Sequence, residues 1–102
     1  RADRFLRRIW QTVESMPRYR GRTALLVATD HGRGAEDDWT DHGRKVPAAE
    51  RIWMAGLGTE MPATAGRVSQ AQFAATIAAV LGLEAAFRKA RPEAAPSIFP
   101  PQ

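Results

Sequence analysis

The first forty positions contain a helical hydrophobic pattern followed by a strand-like one. In residues 2–16 the apolar side chains recur at spacings of three and four, which predicts an amphipathic helix that Pro17 ends. Its apolar positions are Phe5, Leu6, Ile9, Trp10, Val13 and Met16. Residues 23–28 are almost entirely apolar, as in a strand covered on both faces. A helix leading through a short turn into such a strand is typical of α/β proteins.

The second half of the chain predicts a further strand and two more helices. Residues 51–57 form the strand, which Gly58 closes. A capping-box pattern of Ser69 and Gln72 begins a helix that ends at Gly82. The apolar stripe of this helix is Phe73, Ala74, Ile77, Val80 and Leu81. A shorter helix is expected from Glu84 to about Ala90, and residues 92–102 form an irregular proline-rich tail.

The segment of residues 29–47 has no hydrophobic periodicity and separates the two predicted strands. It contains the chain's two histidines, in the related sequences Thr29-Asp30-His31-Gly32 and Thr40-Asp41-His42-Gly43. A loop of this length in a small domain is usually functional or disordered, and the histidines favour function.

Asp30 and His31 follow the first strand directly, at the edge where open α/β sheets bind ligands. We expect Gly32 to let the backbone turn sharply, so that both side chains point toward one place. A carboxylate and a neutral imidazole suit zinc or manganese, and the glycine-rich segment lets His42 return to the same pocket. The alternative is structural, because Asp-His-Gly is also a common turn sequence and an aspartate after a strand often caps a helix.

Other polar residues of this loop are weaker candidates. Asp41 is expected to be a turn residue, ahead of a role orienting a histidine or binding metal. The acidic run Glu36, Asp37 and Asp38 is expected to be solvated, and Trp39 to anchor the loop on the core. Arg44 and Lys45 are candidates for contact with an anionic substrate, although a solvated or salt-bridged role is equally compatible with their positions.

Composition narrows the classes of function. The 102 residues suffice for one small domain, and the absence of cysteine excludes disulfides and thiolate metal sites. The net charge is +4, but the arginines are spread along the chain, so we expect no nucleic-acid partner. No apolar run is long enough to predict a membrane span.

The chain offers too few groups for a complete two-metal hydrolase. Such a site needs around six protein ligands, and only Asp30, His31 and His42 are good candidates here. No serine or threonine lies in a nucleophile-elbow pattern, and there is no cysteine. The residues therefore look like half of an active site.

The ordered motifs resemble the alkaline-phosphatase superfamily, which includes phosphodiesterases, sulfatases, phosphoglycerate mutases and phosphopentomutases. The resemblance covers roughly residues 5–83. It consists of a strand ending in Thr29-Asp30-His31-Gly32, a further histidine in Trp39-Thr40-Asp41-His42-Gly43, the strand 52–58, and a late helix over 68–83. It implies part of a three-layer α/β/α sandwich with a mainly parallel sheet, of which this chain supplies about two strands and three helices.

The resemblance also implies a function. The chain would be the carboxyl-terminal portion of a catalytic domain for a phosphoester hydrolase or phosphomutase, acting on a phosphate or sulfate ester. Two divalent ions, zinc or manganese, would be bound by Asp30 and His31 on one side and by His42 on the other. The nucleophile and remaining ligands would lie in a missing amino-terminal part. The resemblance favours an extracytoplasmic location, and a metal-binding His42 argues against the sulfatase branch.

Three other functions remain open from the sequence. The chain could be a small stand-alone module whose Asp-His loop holds one structural metal, or part of a sulfatase-branch hydrolase. It could also be a basic adaptor for nucleic acid or an anionic partner, for which salt-dependent binding is expected.

Overall fold

The computed structural model describes residues 1–34, 37, 39–59, 61 and 66–98. These residues form three α-helices, two strands and two short 3₁₀ helices. In chain order they are α1 (Ala2–Ser15), β1 (Ala24–Ala28), a 3₁₀ helix (Pro47–Glu50), β2 (Met54–Gly58), a 3₁₀ helix (Gln70–Gln72), α2 (Phe73–Val80) and α3 (Glu84–Ala90). The mixed α/β class is confirmed.

β1 and β2 pair in an antiparallel sheet, with Ala24 opposite Gly58 and Ala28 opposite Met54. The prediction of a mainly parallel sheet is therefore wrong for these two strands. The reason lies in the connection, whose described residues (29–34, 37 and 39–53) contain no α-helix, and which enters β2 beside the end of β1 that it left. A parallel pair needs a crossover that carries the chain back to the opposite end of the sheet.

Helix ends follow their local signals. α1 ends at Ser15, two residues before Pro17. The Ser69 hydroxyl accepts from the amide of Ala71 while the Gln72 side chain accepts from the amide of Ser69, so the predicted capping box is present. The first turn after Ser69 is a 3₁₀ helix, and α2 begins only at Phe73. α3 spans the predicted residues.

The best-buried side chains lie on α2, and they are small. Ala75, Thr76 and Ala78 are buried there, and Val46 joins them from the loop. The Thr76 hydroxyl donates to the carbonyl of Gln72 at 2.6 Å and accepts from the amide of Ile98 at 3.2 Å. The predicted apolar stripe of α2 is wrong as a buried face, because Ala74, Ile77 and Leu81 are exposed and neither Phe73 nor Val80 is fully buried. Small residues face inward because the following chain packs closely against them.

α1 and the sheet are poorly covered within the described part of the chain. No residue of α1 is buried, every residue of β1 is only half-buried, and β2 is largely exposed after Met54. The accessible surface is 8447 Å², whereas a compact monomer of 11.2 kDa exposes about 5,700 Å². The apolar faces of α1 and β1 therefore have the composition of a protein core without the burial of one.

None of the helices in the described ranges has both the length and the apolar character needed to cross a membrane.

Candidate metal centre

Asp30 and His31 lie just beyond the end of β1. The amide of Thr29 extends the strand pairing by donating to the carbonyl of Trp53 at 3.4 Å. Asp30 then uses one carboxylate oxygen to accept from the amide of His31 at 2.9 Å. The Asp30 side chain is 86% exposed and that of His31 is 33% exposed. The structure thus places both side chains at the carboxyl end of β1, as predicted, with Asp30 open to solvent.

Gly32 is needed for close packing rather than for a sharp turn. Its amide donates to the carbonyl of Ala49 at 2.7 Å. A Cβ at this position would lie 2.6 Å from the carbonyl oxygen of Arg51 and closer still to that of Ala48. Gly32 is not among the described glycines with positive φ. The expectation that it provides backbone freedom is wrong, and the 3₁₀ helix Pro47–Glu50 is the reason for a glycine here.

His42 returns to the first Asp-His pair, as the sequence predicted. The amide of Gly34 donates to the carbonyl of Asp41 at 2.9 Å, which draws the two sides of the loop together. The imidazole rings of His31 and His42 stack with their centroids 3.9 Å apart and their planes 17° from parallel. The two histidines are therefore in direct ring contact, although they are eleven residues apart in sequence.

The hydrogen bond of the His31 ring selects its tautomer. Nδ1 lies 2.6 Å from the carbonyl oxygen of Gly32. A carbonyl only accepts, so Nδ1 carries the proton and donates it, and Nε2 of the neutral ring keeps its lone pair. Such a bond on one ring nitrogen is the usual way in which proteins orient a histidine that binds metal through the other.

The Asp30 carboxylate lies close to Nε2 of His31. Oδ2 of Asp30 lies 3.6 Å from Nε2 of His31. Tetrahedral zinc bound at about 2.0–2.1 Å to a nitrogen and an oxygen holds these atoms about 3.4 Å apart. The observed separation therefore fits two ligands of one ion, and a cation between them satisfies two atoms that are both acceptors.

Among the described residues, no group of three or more histidine, aspartate or glutamate side chains is arranged to hold one metal ion. The stack of His31 on His42 is one reason, since an imidazole binds metal along a lone pair that lies in the plane of its ring. Nearly parallel, stacked rings keep their lone pairs in separate planes, so the two rings are not oriented to share one ion.

The weaker candidates are exposed wherever the structure describes them. Asp37, Asp41, Arg44 and Lys45 are all exposed, and Glu36 and Asp38 lie outside the described residues. Arg44 and Lys45 occupy a turn closed by a hydrogen bond from the amide of Val46 to the carbonyl of Gly43.

Trp39 does not anchor the loop on the core. Its side chain is exposed, and the guanidinium carbon of Arg33 lies 5.9 Å from its ring centroid.

Sequence reasoning missed two groups that adjoin the site. The Gln70 amide donates to the carbonyls of Asp30, at 3.1 Å, and Thr29, at 3.4 Å. The hydroxyl oxygen of Thr29 is buried and has no hydrogen-bond partner among the described residues. No local pattern identifies either feature, because the first joins residues forty positions apart and the second depends on packing.

Comparison with models of protein families, with curated proteins and with solved structures found no match to the chain.

Proposed function

We propose that the chain supplies part of the two-metal site of a phosphoester hydrolase or phosphomutase of the alkaline-phosphatase type. In this proposal Asp30 and His31 are ligands of one divalent ion, and His42 is a ligand of the other. The ions would be zinc or manganese, since the donors are one carboxylate and two imidazoles.

The observation that carries the proposal is the stack of His31 on His42. The ring centroids lie 3.9 Å apart, which is close enough for each histidine to bind one ion of a two-metal site, whose ions lie about 3.5–4 Å apart. Nearly parallel rings suit two neighbouring ions, one for each histidine, better than they suit a single shared ion. The 3.6 Å between Asp30 and His31 supports placing those two ligands on the same ion.

The uncovered surfaces support a site completed by further structure. The half-buried β1 and the unburied apolar face of α1 are suited to a larger sheet within a three-layer domain. The ligands missing from the described residues, and a nucleophile, would come from the same additional structure. This explains how three ligand candidates lie together without forming a complete centre.

The proposed ions would neutralise charge on a phosphoryl group and on the attacking and leaving oxygens. The chain's own residues would hold them in place. The His31 ring is oriented by its bond to the carbonyl of Gly32, and the Gln70 amide fixes the backbone of Asp30. His42 contributes through the stack, which sets the distance between the two imidazoles.

Zinc titration of the 102-residue protein, followed through the ring nitrogen signals of both histidines by NMR, tests the proposal. We expect zinc to shift Nε2 of His31 and one nitrogen of His42, and EDTA to reverse the shifts. Asp30→Asn should weaken the response of His31. Asp41→Asn is the matched control, because Asp41 holds the equivalent place in the second motif and is expected to have no effect.

A histidine spectrum unchanged by millimolar zinc or manganese would contradict the proposal. So would equal effects of Asp30→Asn and Asp41→Asn, because the two motifs are assigned unequal roles. A response confined to His31, with one ion bound, would instead indicate a single-metal module.

A further inference from the structure

A cleft of about 790 Å³ adjoins the candidate metal centre. Asp30 is both a candidate metal ligand and a lining residue of the cleft, so the two sites share this residue. The rest of its lining comes from residues 49–54, which lead into β2, and from residues 66–70, which lead into α2. The lining includes the polar or aromatic residues Asp30, Glu50, Arg51, Trp53, Arg67 and Gln70. The volume is in the range of small-molecule sites, about 300–1,000 Å³.

Trp53 provides the main apolar surface for a ligand. It lines the cleft and is 54% exposed, an unusual state for a tryptophan beside a strand. Its carbonyl accepts from the amide of Thr29, which places Trp53 directly across from the residue before Asp30. An exposed indole next to polar groups is suited to stacking against a planar aromatic ring.

Arg51 and Arg67 supply the positive charge of the cleft. Both are exposed, and within the described ranges neither guanidinium is in an ion pair. The carboxylates of Asp30 and Glu50 balance the two arginines, so the cleft does not attract anions in general. A ligand gains affinity from this cleft only if its anionic group contacts the arginines while its remaining surface contacts Trp53.

We infer that this cleft binds a planar aromatic phosphate ester, with the ring on Trp53 and the anionic group near Arg51 and Arg67. The choice of phosphate as the anion rests on the proposed function, whereas the aromatic and cationic character of the cleft does not. Gln70 holds the two sides in register by joining the segment before α2 to the backbone of Thr29 and Asp30.

Calorimetric titration of the 102-residue protein with phenyl phosphate tests this inference, with cyclohexyl phosphate as the non-planar control. The titrations are run in EDTA, so that they do not depend on metal. We expect phenyl phosphate to bind at least about fivefold more tightly than the control, because of stacking. Its addition should shift the indole N–H signal of Trp53 among the three tryptophan signals.

Substitutions test which side chains bind the ring and which bind the anionic group. Trp53→Leu should abolish the preference for phenyl phosphate. The double variant Arg51→Gln, Arg67→Gln should raise the Kd about fivefold, a modest change because exposed ion pairs are weak. Arg18→Gln, an exposed arginine outside the cleft, should leave the Kd unchanged.

Equal affinity for the two esters, no binding at millimolar concentration, or a Kd unaffected by the double variant would overturn the inference. The outcome is separable from that of the zinc titration. Selective binding of phenyl phosphate in EDTA supports the cleft even if the histidines do not bind zinc. A zinc response without ester selectivity leaves the metal proposal standing and removes the cleft.

Discussion

The rings of His31 and His42 lie face to face, 3.9 Å apart, although the residues belong to two separate Asp-His-Gly motifs. This contact makes the motifs unequal. In the first, Oδ2 of Asp30 lies 3.6 Å from Nε2 of its own histidine. In the second, Asp41 is exposed, and its carbonyl accepts from the amide of Gly34. The first motif thus forms a carboxylate–imidazole pair, Asp30 and His31, and the second adds only the imidazole of His42.

His42→Phe separates the packing role of His42 from its proposed metal role. Phenylalanine can still stack on His31 but offers no lone pair. We expect the free energy of unfolding to change by less than about 1 kcal/mol, since the loop is largely exposed. Zinc should still shift His31 while the second binding event is lost. Chemical denaturation and zinc titration measure the two quantities.

His42→Ala is the companion variant. Loss of the neighbouring ring should move the ring-proton signals of His31 downfield, because the ring current of His42 no longer acts on them. His31 proton signals that are the same in the Ala variant and the wild-type protein would contradict the stack itself.

Gly32→Ala is expected to destabilise the protein by about 2 kcal/mol, within the usual range for an overpacked site. The new methyl group would meet the carbonyl oxygens of Ala48 and Arg51, which belong to backbone and cannot move aside freely. Displacement of the 3₁₀ helix would also lengthen the bond from Gly32 to Ala49. Urea denaturation measures the loss.

Gly43→Ala is the matched control, since it alters the same position of the second motif. A Cβ there has no neighbouring atom within 4 Å, so we expect a change of less than about 0.5 kcal/mol. Similar losses for the two variants would show that Gly32 is required for flexibility rather than for close approach.

Thr29→Val is expected to stabilise the protein by about 1 kcal/mol, because a methyl group of similar size replaces a buried hydroxyl that has no partner among the described residues. Thr23→Val is the control, as the Thr23 hydroxyl donates to the carbonyl of Tyr19 at 2.8 Å and its removal should destabilise. Thermal unfolding of both variants checks the opposite signs. A destabilised Thr29→Val protein would indicate that the hydroxyl is engaged in solution.

Local patterns predicted the helices and strands well. The 3.6-residue periodicity placed α1, Pro17 marked its end, and the pair Ser69 and Gln72 formed the expected capping box. Strand direction was not predictable from the same information. The apolar run of β1 indicated coverage on both faces, which is usual in parallel sheets, but the pairing partner depends on how the loop of residues 29–53 returns.

The candidate site was predictable in its residues but not in its geometry. Asp30, His31 and His42 were identified by residue type and by their position after a strand. Stacking, rather than convergence on one ion, depends on ring orientations that no spacing specifies. Gln70 was missed because it reaches the site from a distant part of the chain, and the Thr29 hydroxyl was missed because its burial depends on packing.

Thr76→Val is expected to destabilise the protein through the loss of a buried hydrogen bond. Thr76 is fully buried, and its hydroxyl links α2 to the chain near Ile98 by donating to Gln72 and accepting from Ile98. Thr76→Val keeps the volume but leaves the amide of Ile98 without its acceptor, so we expect a loss of about 1–3 kcal/mol. Thr76→Ser should lose less, because it retains both bonds. Amide hydrogen exchange distinguishes the cause, since Ile98 should exchange faster in the Val variant and at the wild-type rate in the Ser variant. Unchanged exchange of Ile98 in Thr76→Val would contradict the assigned bond.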